Sequence, residues 1–98
     1  MTRQEYLLIQ LASECNEVAH IVSKALQFGL DEHQPNDIQS NSDRIMSEVA
    51  DLIGILDMCW NEKILQNYSD ERMKFHIEAK RLRIEKYMGY SKNLGITV

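Results

Sequence analysis

The sequence predicts an all-α fold with three main helices in a single domain spanning residues 1–98, and three observations lead there. Helix breakers are sparse: Pro35 and four glycines (Gly29, Gly54, Gly89, Gly95) are the only ones in 98 residues, while the good helix formers Ala, Leu, Glu, Lys, Met and Gln are plentiful. Apolar residues recur at three- and four-residue spacing over long stretches. Residues suited to helix starts, Thr2, Ser42 and Ser69, precede those stretches.

Thr2 with Glu5 has the spacing of a capping box, and no breaker follows until Gly29, so the first helix is expected over residues 3–28. On a wheel of about 100° per residue, its buried face is expected to hold Leu8, Leu11, Ala12, Cys15, Val18, Ala19, Val22 and Leu26, with Glu14 and Glu17 at the edge. Residues 30–41 carry Asp31, Pro35, Asn36, Asp37, Ser40 and Asn41 with little periodicity, the pattern of a loop long enough to serve a function. Ser42 is the expected cap of the second helix, with Asp43 in its first turn and an apolar pattern from Ile45 to about Leu65 that runs through Gly54. After Asn67 and Tyr68, Ser69 caps a third helix opening with Asp70 and Glu71. It is expected to fade near Gly89 and leave an irregular tail at 90–98.

Composition narrows the function classes. A net charge of -4, with no face collecting lysines and arginines, argues against a nucleic-acid polymer as partner. No apolar run approaches the ~20 residues of a membrane span, and the first residues lack the pattern of a signal peptide, so a cytoplasmic location away from membranes is expected. Cys15 and Cys59 form no CxxC pair and stand among apolar neighbours, which predicts buried free thiols. At ~1.5 Å per residue the second helix would be roughly 35 Å long, against a radius of gyration near 13 Å for a globule of this size. Part of it is expected to pack on another copy, giving a four-helix-type bundle in a homodimer or homotetramer.

The chemistry concentrates in two acidic pairs. Glu14 and Glu17, three residues apart, project from neighbouring turns of the first helix, and Glu48 and Asp51 repeat that spacing on the second beside Ile45, Leu52, Ile55 and Cys59. Glu62 lies farther along the same stripe. If the helices pack antiparallel, the pairs converge into a set of oxygen donors without histidine or thiolate, which suits magnesium or manganese and not zinc. Taken singly, each pair reads as a solvated helix face making weak links to residues such as Lys24 or Arg44. It is the repetition beside both apolar stripes that points to a metal site, because clustered carboxylates repel one another unless a cation neutralises them.

The order of Glu14 and Glu17, a loop-containing spacer, then Glu48 and Asp51 resembles the ExxE and ExxD signature of the MazG-like and dimeric deoxyuridine triphosphatase superfamily. The contexts Leu11-Ala12-Ser13-Glu14 and Glu48-Val49-Ala50-Asp51-Leu52 are similar as well. In helical organisation the resemblance covers about residues 5 to 88. It implies that Glu14, Glu17, Glu48 and Asp51 are magnesium ligands and that a nucleoside triphosphate is hydrolysed to monophosphate and pyrophosphate. Ser13 stands where many members carry a further acid, which leaves the number of metal ions open. Glu17 is the choice for the carboxylate that activates water.

Lys80 interrupts the apolar stripe Met73, Ile77, Ile84, Met88 of the third helix, with Arg83 and Tyr87 alongside. These three, with Lys63 late in the second helix, are the candidate substrate-binding residues. A lysine stem that packs while its amine reaches water is the plainer account of Lys80. His20, His33 and His76 share no ligand spacing, and Trp60 falls on the apolar arc as a packing residue. The competing function is a non-enzymatic helical dimer that serves as a docking surface. It explains the stripes and leaves the paired acids unexplained.

Overall fold

Helix α1 (Arg3–Phe28) begins and ends at the predicted residues. The Thr2 hydroxyl accepts from the Glu5 backbone N–H at 3.1 Å and donates to the Glu5 carboxylate at 3.1 Å, and Gly29 stops the helix at φ 99°, where its N–H reaches the Ala25 carbonyl. The computed structural model describes residues 1–98, and it is all-α: α2 (Asn41–Asn61) and α3 (Asp70–Asn93) complete the order, with no strand. The chain forms two compact units, Met1–Gln66 and Asn67–Val98. No helix is long and apolar enough to cross a membrane.

In the first unit α1 and α2 form an antiparallel hairpin. At one end Arg3 grips Glu62 through two hydrogen bonds, of 2.7 and 2.9 Å. At the other, the Asn41 amide donates to the Gly29 carbonyl at 2.9 Å and to a Glu32 carboxylate oxygen at 2.8 Å. The intervening loop is ordered by its own chemistry. Pro35 and Asn36 fill the centre of a turn closed by Asp37 N–H to the Gln34 carbonyl, and Asn36 takes φ 65°, the positive value that a type II turn needs there. The Asn41 and Ser42 N–H groups, unpaired by helix geometry, bond the Glu32 and Leu30 carbonyls.

Four expectations need correction here. The cap of α2 is Ser40, whose hydroxyl accepts from Asp43 N–H, and not Ser42. The helix also ends earlier than residue 65. Ile64 N–H bonds the Cys59 carbonyl and Lys63 N–H that of Trp60, a Schellman closure with Lys63 at φ 60° outside the helix. Third, α3 runs through Gly89 and ends in a second Schellman closure around Gly95, φ 78°, so most of the supposed tail is ordered. A glycine stops a helix when it turns left-handed, and Gly89 stays helical.

The fourth correction concerns the buried face. The residues of α1 that turn inward are Leu7, Leu11, Glu14, Val18, Ile21 and Ala25, all buried or half-buried. Their alternating spacing of four and three is a heptad seam, and Asn41, Ile45, Glu48, Leu52, Ile55 and Cys59 repeat it on α2. The adjacent stripe, Leu8, Ala12, Cys15, Ala19, Val22 and Leu26, was expected inside and is exposed, Leu26 by 84%. Of the two thiols, Cys59 is buried as expected and Cys15 is not. A single partner helix covers one seam, and α1 carries two side by side.

In the second unit Ser69 caps α3 by accepting from Arg72 N–H, as its sequence position predicts. Arg72 lies 3.8 Å over the Tyr68 ring, which also stacks on His76 at 5.2 Å, so the side chains of the first turns fix the entry of the helix.

Candidate metal centre

Heptad seams bury whatever the sequence places in them. In the α1/α2 hairpin they place Glu14 between Leu11 and Val18, and Glu48 between Ile45 and Leu52. Asp51, one turn after Glu48, stands beside the seam and is exposed. The antiparallel pairing brings these three acids together: one carboxylate oxygen from each lies within 4.8 Å of the other two. None of them takes part in an ion pair. The Glu14 carboxyl is held above its ordinary value, first by its partial burial and then by the charges of Asp51, Glu48 and Glu17, in that order.

Glu17 is exposed one turn beyond Glu14, outside the group of three and near enough for its charge to act on Glu14. Glu62 is occupied elsewhere, since the hydrogen bonds from Arg3 hold its carboxyl below the ordinary value. Lys63 is exposed in the turn after α2. Lys80, Arg83 and Tyr87 lie exposed on α3 in the second unit. His20 and His33 are exposed and stand outside the acidic group, and Trp60 is half-buried.

The arrangement offers hard oxygen donors with no histidine or cysteine among them, and two of the three, Glu14 and Glu48, occupy seam positions that Leu or Ile would fill more stably. Magnesium keeps several waters when protein-bound, so three protein oxygens suffice for it. Two polar residues of this region escaped the sequence reading. Asn41 follows a run of loop-forming residues, yet it continues the α2 seam at heptad spacing and is 1% exposed. Arg44, treated only as a surface partner for an acid, is half-buried with its Nη1 enclosed and without a hydrogen-bond partner. Its signal was a cation one turn before Glu48 on the same face.

Compared with known proteins, the chain matches no family model, no curated protein and no solved structure.

Proposed function

We propose that the chain is a MazG-like hydrolase that converts a nucleoside triphosphate to the monophosphate and pyrophosphate with magnesium or manganese bound at Glu14, Glu48 and Asp51. One observation carries the reading: two glutamates occupy apolar seam positions on facing helices and meet a third acid with no cation in ion-pair range. Acids so placed lower the stability of the hairpin, and such sacrifices concentrate at functional sites. A bound magnesium or manganese ion would offset the charge of acids and phosphates and polarise the reacting water and phosphorus.

The residues then divide their work. Glu14, Glu48 and Asp51 supply the negative charge that holds the cation, and a cation there would offset the burial and neighbouring charges that hold the Glu14 carboxyl above its ordinary value. Glu17, exposed and outside the group of three, accepts the proton of the attacking water. The water oxygen bonds to the α-phosphorus while the bond from that phosphorus to the bridging oxygen breaks, and pyrophosphate leaves with that oxygen.

The second, exposed apolar stripe of α1, with Met46 and Ile53 exposed on α2, favours association with a second copy into a four-helix bundle. The same surface is what a purely docking protein would present, so activity decides between the two readings. A panel of canonical and modified nucleoside triphosphates with magnesium or manganese should yield monophosphate and pyrophosphate together. Glu48→Gln and Asp51→Asn should abolish turnover and leave a folded helical protein. No product from wild-type protein across the panel would return the chain to the docking reading.

A further inference from the structure

Each helix of the hairpin carries a second apolar stripe, one residue on from its seam. On α1 it is the exposed stripe from Leu8 to Leu26; on α2 it is Met46, Val49, Ile53, Leu56 and Trp60, each following a seam residue. Val49, Leu56 and Trp60 are half-buried, and Met46 and Ile53 are 61% and 54% exposed. One residue is a turn of about 100°, in the same sense on both helices. Because α1 and α2 face each other and run in opposite directions, that equal turn brings the two stripes to the same side of the hairpin. Glu17 and Asp51 instead precede seam residues, Val18 and Leu52, and lie on the opposite side. One face is therefore apolar, and the other carries the acids.

What fits the apolar face follows from its charge and its relief. Neither stripe holds a charged residue. A two-fold contact sets a surface against itself, and a chain of net charge -4 does so with least repulsion through such a face. The middle of the α1 stripe is small, with Ala12, Cys15 and Ala19, while α2 offers Ile53, Leu56 and Trp60. Two layers close without voids or overlap when large residues meet small ones.

We infer that a second copy covers this face with its α2 on α1 and its α1 on α2, about a two-fold axis parallel to the helices. Rotation about that axis keeps the direction of each helix, so every neighbouring pair in the four-helix bundle is antiparallel. An axis across the helices would stack α1 on α1 and α2 on α2, small on small and large on large. This pairing rests on the self-association proposed above and not on hydrolysis. It decides which helices meet, and it keeps the acidic face on the outside of the bundle.

Cys15 reports the pairing, because it is exposed on the α1 stripe while Cys59 is wholly buried. Arg3 bonded to Glu62, and Glu14 gathered with Glu48 and Asp51, fix the register of the hairpin and put Cys15 and Ile53 at nearly one level. The two-fold axis preserves that level and sets Cys15 opposite the partner's Ile53, where a disulfide can close. Ile53→Cys, oxidised with diamide at micromolar concentration, should yield at least tenfold more covalent dimer than wild type, with the introduced thiol joined to Cys15 in peptide maps. Val49→Cys, one turn earlier on the same stripe, reads the same contact if Ile53→Cys weakens assembly. Wild type that cross-links as readily through Cys15 alone places α1 on α1 and overturns the pairing, as does a dimer in which neither introduced thiol cross-links. A wild-type monomer in sedimentation overturns the self-association and the pairing together. Cys15 then reacts with a thiol reagent if the face is bare and resists it if another segment covers it.

Discussion

Replacing Asn41 with Asp sets two physical effects against each other with opposite sign. At the first position of a helix an acidic side chain ordinarily helps, by about 0.3–1 kcal/mol through the helix dipole. Asn41, however, is 1% exposed, and its Nδ2 donates to the Gly29 carbonyl at 2.9 Å and the Glu32 carboxylate at 2.8 Å. Aspartate has no such donor and sets a second carboxylate against Glu32. Losing one neutral bond, worth about 0.5–1.5 kcal/mol, and one to a charged acceptor, worth about 1.5–3, outweighs the dipole gain and leaves a net loss of roughly 1–4 kcal/mol. Asn41→Ala loses the same bonds, with neither the dipole gain nor the repulsion, and should also be less stable than wild type. For a domain of this size each kcal/mol moves the melting temperature by about 4–8 °C, so thermal and urea unfolding followed by circular dichroism resolve these losses easily. An aspartate variant as stable as wild type would refute the claim that this side chain clasps the loop to the helix.

Two further outcomes follow from the same hairpin. The Glu14 carboxyl lies above its ordinary value, so the metal-free fold should lose stability as pH rises from the ordinary glutamate range through the raised value. Metal-free Glu14→Gln should therefore resist urea better than wild type at neutral pH and show a flatter pH profile; a wild-type profile no steeper than the variant's would sink the reading of Glu14. Sedimentation at micromolar concentration should find a dimer or larger species, and Ile53→Asp, at a position 54% exposed in the single chain, should shift it to monomer with helical content intact. A fully helical wild-type monomer at that concentration would remove the four-helix assembly.

Helix identity and most helix starts are local matters, and the sequence determined them. Thr2 with Glu5, Gly29, and Ser69 each act through bonds to residues within four positions, so their spacing alone sets the bounds of α1 and the start of α3. The acids Glu14, Glu48 and Asp51 were legible for the same reason, since three-residue spacing fixes which turns they occupy. The start of α2 was not. Ser40 and Ser42 are both able caps, and the choice depends on Glu32 and Leu30 carbonyls that accept the Asn41 and Ser42 N–H groups once the loop has closed. Its end is equally silent in sequence, because a lysine, and no glycine, takes the left-handed position at Lys63.

Which stripe of α1 lies inside was decided by tertiary structure alone. Two heptad seams one residue apart, one from Leu7 to Ala25 and one from Leu8 to Leu26, merge on a helical wheel into a single broad arc centred between them. Periodicity measures the arc and carries no information about its centre of contact. The hairpin supplies that information: Arg3 held by Glu62 at one end and Asn41 held by Gly29 and Glu32 at the other fix the rotation of each helix. That rotation puts Glu14 in the seam, where desolvation and the facing acids act on it, instead of at its edge, where water would screen them.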